Sequence, residues 1–85
     1  MAQPELDSLR ALAFDRSQPD SIRFTALYDL TWDGYLFSAP DTADVLARRL
    51  QAEARASRDR TFEARASELF AAVRYVRGEM RTALL

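Results

Sequence analysis

Residues 27–47, LYDLTWDGYLFSAPDTADVLA, hold the end of one amphipathic helix, a short turn and the beginning of the next. Leu27 and Leu30, with Phe24 just upstream, recur at helical spacing. Ser38-Ala39-Pro40-Asp41 then breaks the run. Serine can cap a free backbone N–H, proline suits the first helical turn, and the acid three residues on completes a capping box. Alternatively, each aspartate is the cap itself; either way the tetrapeptide starts a helix. The same S-x-P-D pattern stands 21 residues earlier, at Ser17-Gln18-Pro19-Asp20. A looser copy of the whole layout returns 40 residues later as LFAAVRYVRGEMRTALL, residues 69–85.

Working outward, the apolar spacing predicts helices over about 4–16, 20–37, 41–57 and 60–77. In the first, Leu6, Leu9, Leu12 and Ala13 share a face that Phe14 widens, and Pro4 suits the opening turn. Gly34 interrupts the second, where a neighbouring helix would come close. The third shows a narrow stripe of Ala43, Leu46, Ala47, Leu50 and Ala54. Asp59 is the best cap for the fourth, whose inner side is Phe62, Ala66, Leu69, Phe70, Val73 and Val76. Gly78 is a natural C-terminal stop, leaving residues 79–85 as a short fifth helix. No stretch alternates as a strand does. The expected fold is all-α: antiparallel helical hairpins, four helices and a short C-terminal one, in a single domain.

Composition narrows the chemistry. Cysteine and histidine are both absent, which removes disulfides, thiol nucleophiles, His-based triads and zinc sites of Cys and His. No apolar run approaches the roughly 18 residues that would suggest a membrane span, and the polar, acidic start is unlike a targeting peptide. A cytoplasmic location is expected. All 12 basic residues are arginine, which codon usage explains more readily than selection for bidentate contacts. Residues 1–45 carry eight acids and three arginines, net −5, whereas residues 46–85 carry five acids and nine arginines, net +4. Nucleic-acid binding calls for a stronger basic excess than this.

The run Leu30…Trp32…Ser38-x-Pro40-Asp41-x-Ala43…Leu50…Ala54…Asp59…Glu63-Ala-Arg-Ala66…Gly78…Ala83-Leu84 resembles degenerate tetratricopeptide-type repeats of bacterial proteins, with about 40 residues per unit. The overlay pairs Leu30 with Phe70, Tyr35 with Tyr75, Leu36 with Val76 and Thr42-Ala43 with Thr82-Ala83. The first-helix signature is not kept: Leu27 and Ser67 replace its aromatic, Thr31 and Ala71 its glycine, Gly34 and Arg74 its tyrosine. The resemblance implies a first repeat over 20–57 and a second, truncated repeat over 60–85, behind the N-terminal helix 4–16.

It also implies a function. Such repeats bind proteins without catalysis or cofactor, often as the N-terminal part of a bacterial sensor or regulator. The alternative is a stand-alone helical binder, an inhibitor or immunity-type protein that masks another protein. In the family the first helix of each pair lines a concave surface, which would place Tyr28, Trp32, Tyr35, Arg65, Glu68 and Tyr75 there. Tryptophan, tyrosine and arginine are the residues that dominate interfaces; the competing expectation is that Trp32 fills the core under the first helix. Asp29 and Asp33, one turn apart, form a solvated acidic face rather than a metal site. Arg48, Arg49, Arg55, Arg58 and Arg60 form a solvated basic one. Met80, Leu84 and Leu85 would leave an apolar end uncovered, so a homodimer built on these residues, and weakened by salt, is expected.

Overall fold

The computed structural model describes residues 4–84, and within them the chain is all-α. Four helices follow one another: α1 (Pro4–Phe14), α2 (Asp20–Asp29), α3 (Pro40–Ala56) and α4 (Arg60–Leu84). A π-helical turn, Leu30–Tyr35, continues α2 without a break. The Cα atoms extend over 46 × 33 × 14 Å. That thin dimension equals two packed helix layers, about 8–10 Å between axes plus roughly 2.3 Å of radius on each side.

The α3–α4 pair is the tightest contact. α3 turns Ala43, Ala47, Leu50 and Ala54 inward, and α4 meets them with Ala66, Leu69, Val73 and Val76, all buried. Small residues on one helix let the larger ones of the other approach closely. Arg77 pairs with Asp41 at one end and Arg55 with Glu63 at the other, so the two helices run in opposite directions. Phe24, Leu27 and Leu30 complete the core from α2 and its continuation. Phe62 and Phe70, expected inside, are half-buried and pack on the margin of this core. The large buried side chain of α4 is Leu69, so the register that equates Leu30 with Phe70 is one residue off in burial.

A buried cation ties α2 to α3. Arg23 is 6% exposed and donates to Asp20, at 3.1 Å, and to Glu53. Glu53 also accepts from Arg49 Nε at 3.0 Å. Burial pushes the Glu53 carboxyl up, but the hydrogen bonds from Arg23 and Arg49 outweigh it and hold the group below its ordinary value of 4.5.

Several helix ends differ from expectation. The caps assigned to the S-x-P-D tetrapeptides are not formed: α2 and α3 begin behind Pro19 and Ala39, neither of which makes a side-chain cap bond. The serines serve the preceding segment instead. Ser17 donates from its N–H and hydroxyl to Asp15, at 3.0 and 2.6 Å, closing an Asx-type turn that ends α1 at Phe14 rather than Arg16. Ser38 Oγ donates back to the Gly34 carbonyl at 3.1 Å. Asp59 does cap α4, accepting from the Phe62 N–H at 3.1 Å. α3 ends in a Schellman motif: Asp59 N–H donates to Ala54 C=O and Arg58 N–H to Arg55 C=O. Arg58, with φ of 57°, occupies the left-handed position usually given to glycine.

Gly78 does not end α4. Its φ is not positive, nothing lies within 4 Å of where a Cβ would stand, and the helix runs on to Leu84. The expected short fifth helix is therefore the last two turns of α4. Glu79 to Leu84 are, apart from Thr82, good helix formers with no proline among them, so the cost of one glycine, about 1 kcal/mol, does not break the ladder. Met80 is exposed, as the association expectation needs; the side chains of Leu84 and Leu85 lie outside the described part.

Two glycine-related substitutions have opposite chemistry and the same sign. Gly78→Ala should raise stability by up to about 1 kcal/mol through helix propensity, and Arg58→Gly should raise it by about 1 kcal/mol by relieving the left-handed strain. Thermal melts check both; a loss on Gly78→Ala would mean that the position is a helix stop after all. The lowered Glu53 value carries its own consequence. The stabilisation is complete above about 4.5, the unfolded-like value, and is lost as pH falls through the lower folded value. The stability gap between the wild type and Glu53→Gln should therefore narrow in acid titrations below that pH.

Candidate protein-docking groove

The site begins with the π turn. Leu36 N–H donates to Thr31 C=O at 3.0 Å, an i→i−5 bond, and Thr31 Oγ1 donates to Leu27 C=O at 2.7 Å inside the core. Nine residues separate Leu27 from Leu36; at 100° per residue they would point in opposite directions. The wider turn removes part of that rotation, and Leu36 becomes 1% exposed beside Ala43, Val73 and Val76. Gly34 faces α1, with Leu6 Cδ2 3.1 Å from where its Cβ would lie, so the close approach expected there is present.

The same geometry sets the aromatics. Trp32, Leu36 and Phe37 come to one side, at i, i+4 and i+5, and face Ala72, Tyr75 and Val76 of α4 across a groove of about 370 Å³ with wholly apolar walls. Trp32 is 41% exposed, Phe37 68% and Tyr75 68%. Trp32 thus lies on the surface and does not fill the core under α1. Its ring stacks on Tyr28, with centroids 6.2 Å apart and planes at 11°. Tyr28 in turn donates its hydroxyl to Glu68 at 3.2 Å and carries the Arg65 guanidinium over its ring at 5.3 Å. Partial burial and the bond to Glu68 push the Tyr28 phenol up.

Five of the six residues expected on the concave face are therefore gathered: Tyr28, Trp32, Arg65, Glu68 and Tyr75. Tyr35 is not among them. Three steps of π-helix turn it less than three of α-helix, and it meets α1, where Arg10 donates to its hydroxyl and lies 5.9 Å from its ring. Phe37 and Leu36 were missed because their position depends on the π turn, which no residue pattern announces. The overlay of Leu36 on Val76 was the available signal; both line the groove.

Asp29 and Asp33 adjoin this surface and, with Glu5, Ser8 and Leu9, line a cavity between α1 and α2. Burial, then the neighbouring Asp33, push the Asp29 carboxyl up, with Arg65 opposing. Among the described residues no group of three or more carboxylates is close enough to hold a metal ion, and no helix is long and apolar enough to cross a membrane. The arginines expected as a basic face are in ion pairs in three instances: Arg48 with Asp44, Arg49 with Glu53 and Arg55 with Glu63.

No family model, curated protein or solved structure matches the chain.

If the groove is surface rather than core, its aromatics are dispensable for folding. Trp32→Ala and Tyr75→Ala should each cost less than about 1 kcal/mol, whereas Leu69→Ala should cost about 2–5 kcal/mol. Denaturant unfolding of the three variants measures this; a Trp32→Ala variant as unstable as Leu69→Ala would return the indole to the core.

Proposed function

We propose that this chain is a tetratricopeptide-like helical-repeat module that binds a protein partner, as a regulatory scaffold acting without catalysis. The observation that carries this reading is the groove itself: three large aromatics, Trp32, Phe37 and Tyr75, exposed together on one apolar concavity between two helical segments. Exposed apolar patches of this kind are costly to keep in water unless something covers them, and aromatic side chains supply most of the energy at protein interfaces. The repeat interpretation draws support from the spacing of contacts. Tyr28 meets Glu68 across 40 positions, and Phe24 packs edge-on against Phe62, centroids 5.6 Å apart, so α2 and α4 run alongside each other in the same direction. A groove between two such helices suits an amphipathic helix from a partner.

The chain's single tryptophan is the reporter. Isolated protein should show solvent-exposed emission from Trp32, shifting blue when a partner covers the groove. Affinity capture from the source organism with wild type beside Trp32→Ala/Tyr75→Ala would identify that partner as a protein retained by the first and lost by the second. Identical retention by both, with both folded, would remove the groove from the function.

A further inference from the structure

Charge is distributed unevenly around the aromatic groove. On α4, Glu68 stands seven residues before Tyr75 and Glu79 four after it. At 100° per residue both fall within about 40° of the direction of Tyr75, and both are exposed. They bracket that aromatic at its two ends, with backbones roughly 16 Å apart over the intervening turns of helix. Asp33 follows Trp32 in sequence and is exposed, and it lines the neighbouring cavity against α1 together with Asp29, one turn earlier. Arg65 is the cation that meets this face, held over Tyr28 and set against Asp29. Elsewhere Arg48, Arg55 and Arg77 pair with Asp44, Glu63 and Asp41 along α3 and α4. The groove is thus apolar at its centre, with a carboxylate toward each end of its α4 wall.

From this arrangement we infer that the occupant is an amphipathic helix of a partner protein with lysine or arginine at both ends of its apolar stripe. The inference rests on the groove being a protein-docking site and adds the chemistry of what docks. Eleven residues make very nearly three helical turns, so two basic residues at i and i+11 of a docked helix point the same way and reach Glu68 and Glu79 together. Apolar residues at i+4 and i+7 then fall between them, against Trp32, Phe37 and Tyr75. The apolar anchors supply affinity. The carboxylates supply orientation and selection against acidic partners, since like charges facing each other at a rim are repulsive.

Two synthetic helical peptides test this, sharing one leucine stripe and differing only in a lysine pair or a glutamate pair at i and i+11. The readout is Trp32 emission during titration of the full chain. The lysine peptide should shift Trp32 blue and bind about tenfold tighter than the glutamate peptide at low salt, with the gap closing at high salt. Glu79→Lys should narrow the preference, and Glu68→Lys/Glu79→Lys should reverse it. Among the described residues Glu79 makes no ion pair or side-chain hydrogen bond, so its variant reads charge even if loss of the Tyr28–Glu68 bond loosens the double variant. Equal binding of both peptides would overturn the charge selection and leave the groove as a docking site. No shift with either would overturn the groove reading as well. A blue shift on concentrating the protein alone, with a dimer in sedimentation, would make a second copy the occupant and overturn the proposed partner.

Discussion

The i→i−5 hydrogen bond from Leu36 to Thr31 is the constraint on which the groove depends. An α-helix carried straight through this segment would point Leu36 away from Leu27, leaving a hole beside Ala43 and Val73. The π turn trades some ladder regularity for a leucine inside the core, and the exchange favours it, because a fully buried leucine is worth about 1.5–3 kcal/mol. Thr31 supports the turn from within, its hydroxyl satisfied by the Leu27 carbonyl in a place where an unpaired polar group would be costly. Trp32 and Phe37 emerge on the outer side as a direct result.

Around this turn the rest of the fold is conservative. Alanines on α3 set the distance to α4, and the Arg23–Glu53 pair fixes α3 against α2 from the other side. Desolvation offsets much of the attraction within a pair buried in this way. The Arg23 Nε remains without a partner, and removing either ion would leave the other with one remaining counter-ion, Asp20 for Arg23 or Arg49 for Glu53. The arginine-only composition shows its use here and at the rings. Guanidinium groups lie over Phe14, Tyr28 and Tyr35, covering aromatic faces that lysine would cover less well.

The aromatic groove and the acids beside it belong to one surface, contributed by α2, its π continuation and α4. An apolar centre gives affinity without much selectivity, while a charged border gives selectivity without much affinity. Their combination on a single face is what makes a docking surface a coherent reading of an otherwise featureless helical slab.

Read without a structure, the residues determined the helical class, the starts of α2 to α4 within a residue or so and the inward stripe of α3; the gathering of Tyr28, Trp32, Arg65, Glu68 and Tyr75 was implied only by the repeat resemblance. The helices and their inward stripes follow from periodicity near 3.6, and periodicity is local. Three features were decided only in three dimensions. Gly78 carries the helical φ of an interior residue, because the favourable turns after it outweigh one glycine. Ser17 and Ser38 close the segments before them instead of capping those after, because their hydroxyls reach acceptors there, the Asp15 carboxylate and the Gly34 carbonyl. Tyr35 leaves the aromatic face, and Leu36 and Phe37 join the groove, because burying a leucine against α3 and α4 repays a turn of π-helix. Local pattern cannot register that gain, since much of it comes from Val73 and Val76 on α4, far along the chain.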